Sequence, residues 1–209
     1  MDRKIFIVGA GTYGEVMKEL AEILDYEVLG FYDEADEKQG REIMGVAVLG
    51  KFSGLKRTDL QGKQYIVAIG DNTTRSRIME EINASGGFTP TLIHPAATVS
   101  PSARIGKGVY IQANAYIWTK ATIGDYCIVS PNVVICHHTS IDRGCLISNT
   151  SGIGASIEIG KYVFVGMGAT LVTGMKKVGD SAVIGAGAVV LKDVEEEATY
   201  VGVPARKIQ

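Results

Sequence analysis

An aliphatic residue at every sixth position constrains this chain more than any other feature. Val99, Ile105, Ile111, Ile117, Ile123 and Val129 open a series that runs unbroken to Leu171, thirteen positions in all. After a slip of one residue it resumes at Val178, Ile184 and Val190. A helix repeats its buried face at i, i+3, i+4 and i+7 and a strand at every second residue, so neither generates this period. Repeats of six are the signature of a parallel β-helix, in which three short strands per turn close a triangular coil of about 18 residues. The aliphatic side chain then points inwards from each side. Four residues after it a small residue recurs, as at Ala115, Ala121, Cys127, Thr139, Cys145 and Ser151, which suits a filler beside the corner. Cys127 and Cys145 lie one coil apart and are expected to stack about 4.8 Å from each other as core fillers.

The residues before this array read differently. Lys4–Val8 is a short apolar strand, and Gly9-Ala10-Gly11-Thr12-Tyr13-Gly14 is a turn into a helix with apolar Val16, Met17, Leu20, Ala21 and Leu24. Glu27–Tyr32, Val46–Leu49 and Tyr65–Ile69 are further strands, and a helix follows with Asp71 or Asn72 as its N-cap. Strand–helix alternation predicts a parallel sheet with helices packed on it. The expected organisation is an α/β half-Rossmann domain over residues 1–94, followed by an all-β parallel β-helix over residues 95–209. Twenty-six glycines, five prolines and 7% aromatic residues suit thin, repetitive β layers.

A net charge of −2 gives no electrostatic reason to expect nucleic acid or an anionic membrane as partner. The apolar run Ile5–Val8 is too short for an export signal or a membrane span. Three cysteines, an odd number, point to reduced thiols and a cytoplasmic setting.

Gly9-x-Gly11-x-x-Gly14 matches a dinucleotide fingerprint, with Asp33 at the end of the second strand where a ribose-binding acid belongs. The α/β segment has only half the length of a complete doubly wound domain, which favours one nucleotide-linked substrate over NAD. Such a substrate would lie across Gly9–Gly14, with Asp33 and Glu34 near its base or ribose and Gly70 and Asn72 bordering the cleft. The competing reading gives these glycines only a packing role.

Of the three histidines, His94 precedes Pro95 at the junction and reads as structural. His137 and His138 follow Ile135 by two and three residues, which puts them at an outward corner of the coil. Ala155 stacks on His137 and Ser156 on His138, with Thr119 and Lys120 one coil back. Small neighbours leave room for a reacting group and for a backbone N–H near Ala155 aimed at an oxyanion. A zinc site needs three converging histidines, which this spacing does not supply, so no metal is expected.

With these residues in place, the sequence resembles bacterial sugar acetyltransferases of the UDP-4-amino-sugar N-acetyltransferase and sialic-acid O-acetyltransferase type. The resemblance rests on Val8–Gly14, Phe31-Tyr32-Asp33-Glu34, Ala68-Ile69-Gly70-Asp71-Asn72, Leu92-Ile93-His94-Pro95, the hexads and the ending Gly202-Val203-Pro204-Ala205-Arg206. It implies a left-handed β-helix, a homotrimer with active sites between neighbouring coils, and surface-glycan synthesis. It implies transfer from acetyl-CoA to the amine of a UDP- or dTDP-linked amino sugar, with His137 as general base. Gly11, Thr12, Tyr13, Asp33, Glu34 and Gly70 would border the nucleotide-sugar, and acetyl-CoA would touch Ala155, Met167 and Gly185. Two positions depart from the family: His138 stands where many relatives carry Glu or Asp, and Leu146 where relatives have an acetyl-contacting histidine. Sugar O-acetylation, non-catalytic nucleotide-sugar binding and, less well, an NAD-dependent oxidoreductase are the alternatives.

Overall fold

The structure is a computed structural model that describes residues 3–209. It divides into two compact units, Met1–Leu92 and Ile93–Gln209.

The first unit is built on β1 (Lys4–Val8), α1 (Thr12–Ile23), β2 (Glu27–Tyr32), β3 (Glu42–Ile43), β4 (Val46–Gly50), α2 (Arg57–Leu60), β5 (Gln64–Val67) and α3 (Asn72–Ala84). The sheet order is β3-β4-β2-β1-β5. β1 pairs parallel with both β2 and β5, and β2 pairs parallel with β4. Only the edge strand β3 is antiparallel, in a hairpin with β4 that the expected parallel sheet lacks. Ile5, Ile7, Met17, Phe31, Ile66 and Ile82 are fully buried and form the apolar centre. Val16, expected on the inner face of α1, is 43% exposed; Met17, Leu20 and Ala21 supply that face.

In the second unit each aliphatic hexad residue is the second member of a two-residue strand, from Thr98–Val99 through Thr170–Leu171 and on to Val189–Val190. From Ile111 onwards none of them is more than 3% exposed. Tyr116–Ile117 pairs in parallel with Thr98–Val99 on one side and Val134–Ile135 on the other, so residues 18 apart stack in register. The slip after Leu171 lengthens one coil by a residue, after which Val178 stacks on Ile159. A hairpin of Thr199–Val201 with Arg206–Lys207 ends the coil.

The corners show why the repeat tolerates such varied residues. Three positions after the aliphatic the chain takes a left-handed turn: Asn114, Lys120, Tyr126, Asn132, His138, Thr150, Ser156 and Tyr162 have φ between 57° and 63°. Outside glycine that conformation is uncommon and carries strain, so the stacked neighbours must hold it. Glycine directly after the aliphatic answers a different need. At Gly154 a Cβ would stand 2.5 Å from the Thr173 amide nitrogen of the next coil.

The small residues expected as fillers also stitch coils together. Thr139 Oγ1 donates to Gly154 O at 2.6 Å and Ser151 Oγ to Gly166 O at 3.0 Å. Cys127 Sγ and Cys145 Sγ donate to Asp142 O and Gly160 O at 3.1 and 3.0 Å. Thr139 is fully buried and its hydroxyl also accepts the Ile157 N–H at 3.3 Å. Replacing Thr139 by Val keeps the shape but leaves both groups unpaired away from water. The loss expected is about 1–3 kcal/mol, read as a lower denaturation midpoint, whereas Thr139→Ser should retain most of the stability.

Candidate active site

The carboxyl ends of β1, β2 and β5 lie side by side, and the turns that follow them gather most of the expected substrate-binding residues. Gly11 is the N-cap of α1, with Thr12 and Tyr13 opening its first turn. Asp33 and Glu34 follow β2, and Gly70 precedes Asp71, the N-cap of α3, whose Oδ1 accepts the Thr74 N–H at 2.8 Å. β1 lies between β2 and β5, so the chain's connections diverge here, the usual place for a ligand in an open α/β sheet.

The glycines of the turn divide into two kinds. A Cβ on Gly14 would stand 2.2 Å from Gly9 O, and one on Gly9, at φ 105°, 2.7 Å from Ala68 O. These two are required by the packing of helix on strand. Gly11 meets nothing closer than Lys38 Nζ at 4.0 Å, and Gly70 meets nothing within 4 Å. Open space therefore lies over Gly11 and Gly70.

Asp33 has an internal task. Its Oδ2 accepts the Ala10 N–H at 2.7 Å and pairs with Lys38 Nζ at 3.0 Å, while Oδ1 accepts the Ala35 N–H at 3.0 Å. Burial raises its pKa, but the Ala35 and Ala10 amides and the Lys38 ammonium outweigh that and hold the carboxyl below its ordinary range. Glu34 accepts from Ser53 through both carboxylate oxygens, at 2.9 Å from the amide and 2.7 Å from the hydroxyl. The buried Arg75, which the sequence did not single out, donates to Ile69 O, Gly70 O and Asn72 Oδ1 at 3.2, 3.3 and 2.8 Å and so shapes the turn around Gly70.

In the coil, His137 and His138 are exposed at one corner, with Nδ1 atoms 3.1 Å apart. One ring must donate this proton and the other accept it. When His137 donates, its Nε2 carries a lone pair and can act as a base, with neutral His138 filling the acceptor role of a carboxylate. His138 occupies the left-handed corner position, at φ 59°. Stacking follows the 18-residue interval: His138 N–H donates to Thr119 O and Ser156 N–H to His137 O, each at 3.1 Å.

An open trough of about 1020 Å³ runs along this corner, lined by Trp118, Cys136, His137, Ala155, Ser156 and Thr173 among others. The Trp118 ring lies 6.2 Å from that of His137, centroid to centroid, and 5.4 Å from Tyr116. Trp118 is one coil below Cys136 and could have been found from the stacking interval. Glu158 lines the trough from a neighbouring face, a carboxylate that lay outside the stacked positions. Burial pushes the Cys136 thiol up, which disfavours the thiolate a nucleophile needs.

One expectation is corrected. The Ala155 N–H is not an open oxyanion donor, since it donates to Thr173 Oγ1 at 3.1 Å. Met167 and Gly185 follow Phe164–Val165 and Val183–Ile184, strands of a different face, and so stand at another corner of this chain from His137 and Ala155. His94 is structural as expected, its Nδ1 accepting the Ala96 N–H at 3.0 Å. Among the described residues no group of three or more His, Cys, Asp or Glu is placed to hold a metal ion, and no helix is long and apolar enough to cross a membrane.

An α/β unit with an open glycine turn, joined in sequence to a β-helix with an exposed histidine pair, defines a hexapeptide-repeat transferase. Residues 4–82 match the PglD N-terminal domain family and residues 102–137 the bacterial transferase hexapeptide family. A histidine-to-asparagine variant of perosamine N-acetyltransferase from Caulobacter crescentus, in complex with CoA and GDP-perosamine, has a TM-score of 0.91 and 30% identity. That likeness covers 99% of this chain and 97% of the other. The acetyltransferase domain of PglB from Neisseria gonorrhoeae, in complex with acetyl coenzyme A, is 31% identical over the full length of both chains, with a TM-score of 0.62. GDP-perosamine N-acetyltransferase of Escherichia coli O157:H7 is 29% identical over 205 residues, 94% of this chain and 81% of that one. The chain belongs to the hexapeptide-repeat family of nucleotide-sugar acetyltransferases.

The Asp33 clasp makes the first unit's stability depend on pH. Its folded pKa lies below the unfolded one, so its contribution is complete above about pH 5 and is lost as pH falls through the folded value. Asp33→Asn should lower the melting temperature at pH 7, and the gap to wild type should close towards pH 3. A gap that stays constant over that range would refute the clasp.

Proposed function

We propose that this protein transfers the acetyl group of acetyl-CoA to the amine of a nucleotide-linked amino sugar, with His137 as general base. The observation that carries this reading is the full-length likeness to a structure bound to CoA and GDP-perosamine, together with an exposed imidazole over a trough. The open turn at Gly11, Thr12, Tyr13 and Gly70 takes the nucleotide. The first unit thus serves substrate binding and the coil serves transfer.

In the reaction the amine lone pair attacks the thioester carbonyl carbon, and the π electrons move to oxygen. His137 Nε2 takes the proton that the amine loses. Collapse of the tetrahedral intermediate breaks the carbon–sulfur bond, and the departing thiolate recovers that proton from the imidazolium. Amide and free CoA result, with no covalent enzyme intermediate. His138 holds His137 in the productive tautomer by accepting from its Nδ1–H.

The left-handed winding, the homotrimer and the cytoplasmic setting belong to the same reading. Exposed Tyr116 and Trp118 beside the trough support an assembly face there, and three free cysteines support a reducing compartment. The nucleotide expected from the sequence was UDP or dTDP; the GDP-linked ligand of a relative adds GDP to the candidates. That the amine is at the 4 position is part of the proposal.

Incubation with acetyl-CoA and UDP-, dTDP- or GDP-linked 4-amino sugars should release CoA and give a product 42 Da heavier by mass (about one acetyl group) that resists alkali. An alkali-labile product would mean O-acetylation, and tight nucleotide-sugar binding without CoA release would mean a binding protein. His137→Asn should lower kcat by about 10²–10⁴-fold without changing the melting temperature. His138→Gly, which suits φ 59°, should cause a smaller loss that His138→Asp restores. A dead His138→Gly beside an active His137→Asn would exchange the two roles.

A further inference from the structure

The bond that closes off the Ala155 amide leads to a different oxyanion donor. Ala155 occupies the corner position two residues after its aliphatic, and Thr173 occupies the same position one coil on. Two other corners of the coil cap this amide by the same rule. Asp125 Oδ1 accepts the Lys107 N–H at 2.9 Å, and Asp180 Oδ1 accepts the Lys161 N–H at 3.0 Å. A carboxylate ends such a chain, because it has no proton to pass on. At the corner above His137 the cap is a hydroxyl, which accepts the Ala155 N–H and keeps its own proton for a further bond.

The position of that hydroxyl is also special. Thr173 is exposed and lines the same trough as His137 and Ser156. It sits in the one lengthened coil, beside Gly174 at φ 107°. The attacking amine must lie within a hydrogen bond of about 3 Å of the base, and the carbonyl oxygen beyond it within about 3 Å of the donor. Thr173 stands two coils on from His137, at about 4.8 Å per coil, and its hydroxyl reaches back towards the Ala155 amide between them, which leaves the amine and the carbonyl room between base and donor along the shared trough.

We propose that the Thr173 hydroxyl, polarised by the Ala155 N–H, donates to the thioester oxygen and stabilises the oxyanion. The relay Ala155 N–H to Thr173 Oγ1–H to oxyanion strengthens each link as negative charge develops. An aspartate in the same place would satisfy the amide equally well and repel that charge. The corner therefore uses a structural cap of the coil as a catalytic group. This rests on the acetyl-transfer reading above.

The test compares Thr173→Ser, Thr173→Val and Thr173→Asp with wild type, using CoA release and the carbonyl stretch of bound 13C-labelled acetyl-CoA. Serine should retain kcat within a few fold. Valine should lower kcat by about 10²–10³-fold with KM for acetyl-CoA little changed, and should lose the red shift of the bound carbonyl. Aspartate should keep the wild-type melting temperature, as a proper corner cap, and be as inactive as valine. A valine variant with wild-type kcat and an unaltered carbonyl stretch overturns the relay while leaving acetyl transfer intact. A wild-type protein that releases no CoA from acetyl-CoA with any of the sugar nucleotides as acceptor overturns the acetyl-transfer reading, and the relay with it.

Discussion

In-register stacking of residues 18 apart is the constraint from which the other features of the coil follow. Every aliphatic side chain drops onto its counterpart in the next turn, and the buried column from Ile111 to Val190 excludes water along the axis. The interior requires only two residues in six, one aliphatic and one small. The remaining positions are free to vary provided the corners hold. Thr139, Ser151, Cys127 and Cys145 show how the small residue contributes beyond volume, by returning a hydrogen bond to a carbonyl in the following turn. These four buried polar groups are tolerated because each has a partner.

The same periodicity governs what the sequence discloses. The hexads specify the strands of the coil nearly residue for residue, since nothing else produces that spacing. The stacking of Ala155 and Ser156 on the histidine pair follows from the interval alone. What the interval does not carry is side-chain direction. That Asp33 would turn onto Ala10, or that the Ala155 amide would be taken by Thr173, depends on rotamers and on a hydroxyl that composition treats as a minor substituent. Met167 and Gly185 rest on resemblance, and the stacking interval places them at a different corner of the chain from His137. In the α/β unit the β3–β4 hairpin and buried Arg75 escaped because two-residue strands and single internal cations leave no periodic trace.

The two units use glycine and charge for different ends. In the first, Gly9 and Gly14 let a helix close on a strand, and Asp33 draws the turn together through two amides and an ammonium. Rigidity of this kind suits a binding edge, where the cost of ordering is met before a ligand arrives. In the second, two imidazole rings meet through their Nδ1 atoms at an exposed corner. The scaffold fixes the backbone beneath them and leaves the tautomer to be settled by the rings themselves.

The extra residue between Leu171 and Val178 has a consequence for how such a protein diversifies. Glu158 and Ile159 still pair with Lys177 and Val178, so register is recovered on the next face. An insertion at a vertex is thus absorbed locally, like a longer stitch in a knitted tube that leaves the rows above and below aligned. Side-chain chemistry along one ridge can be lengthened, shortened or exchanged without renegotiating the axis that keeps the tube closed.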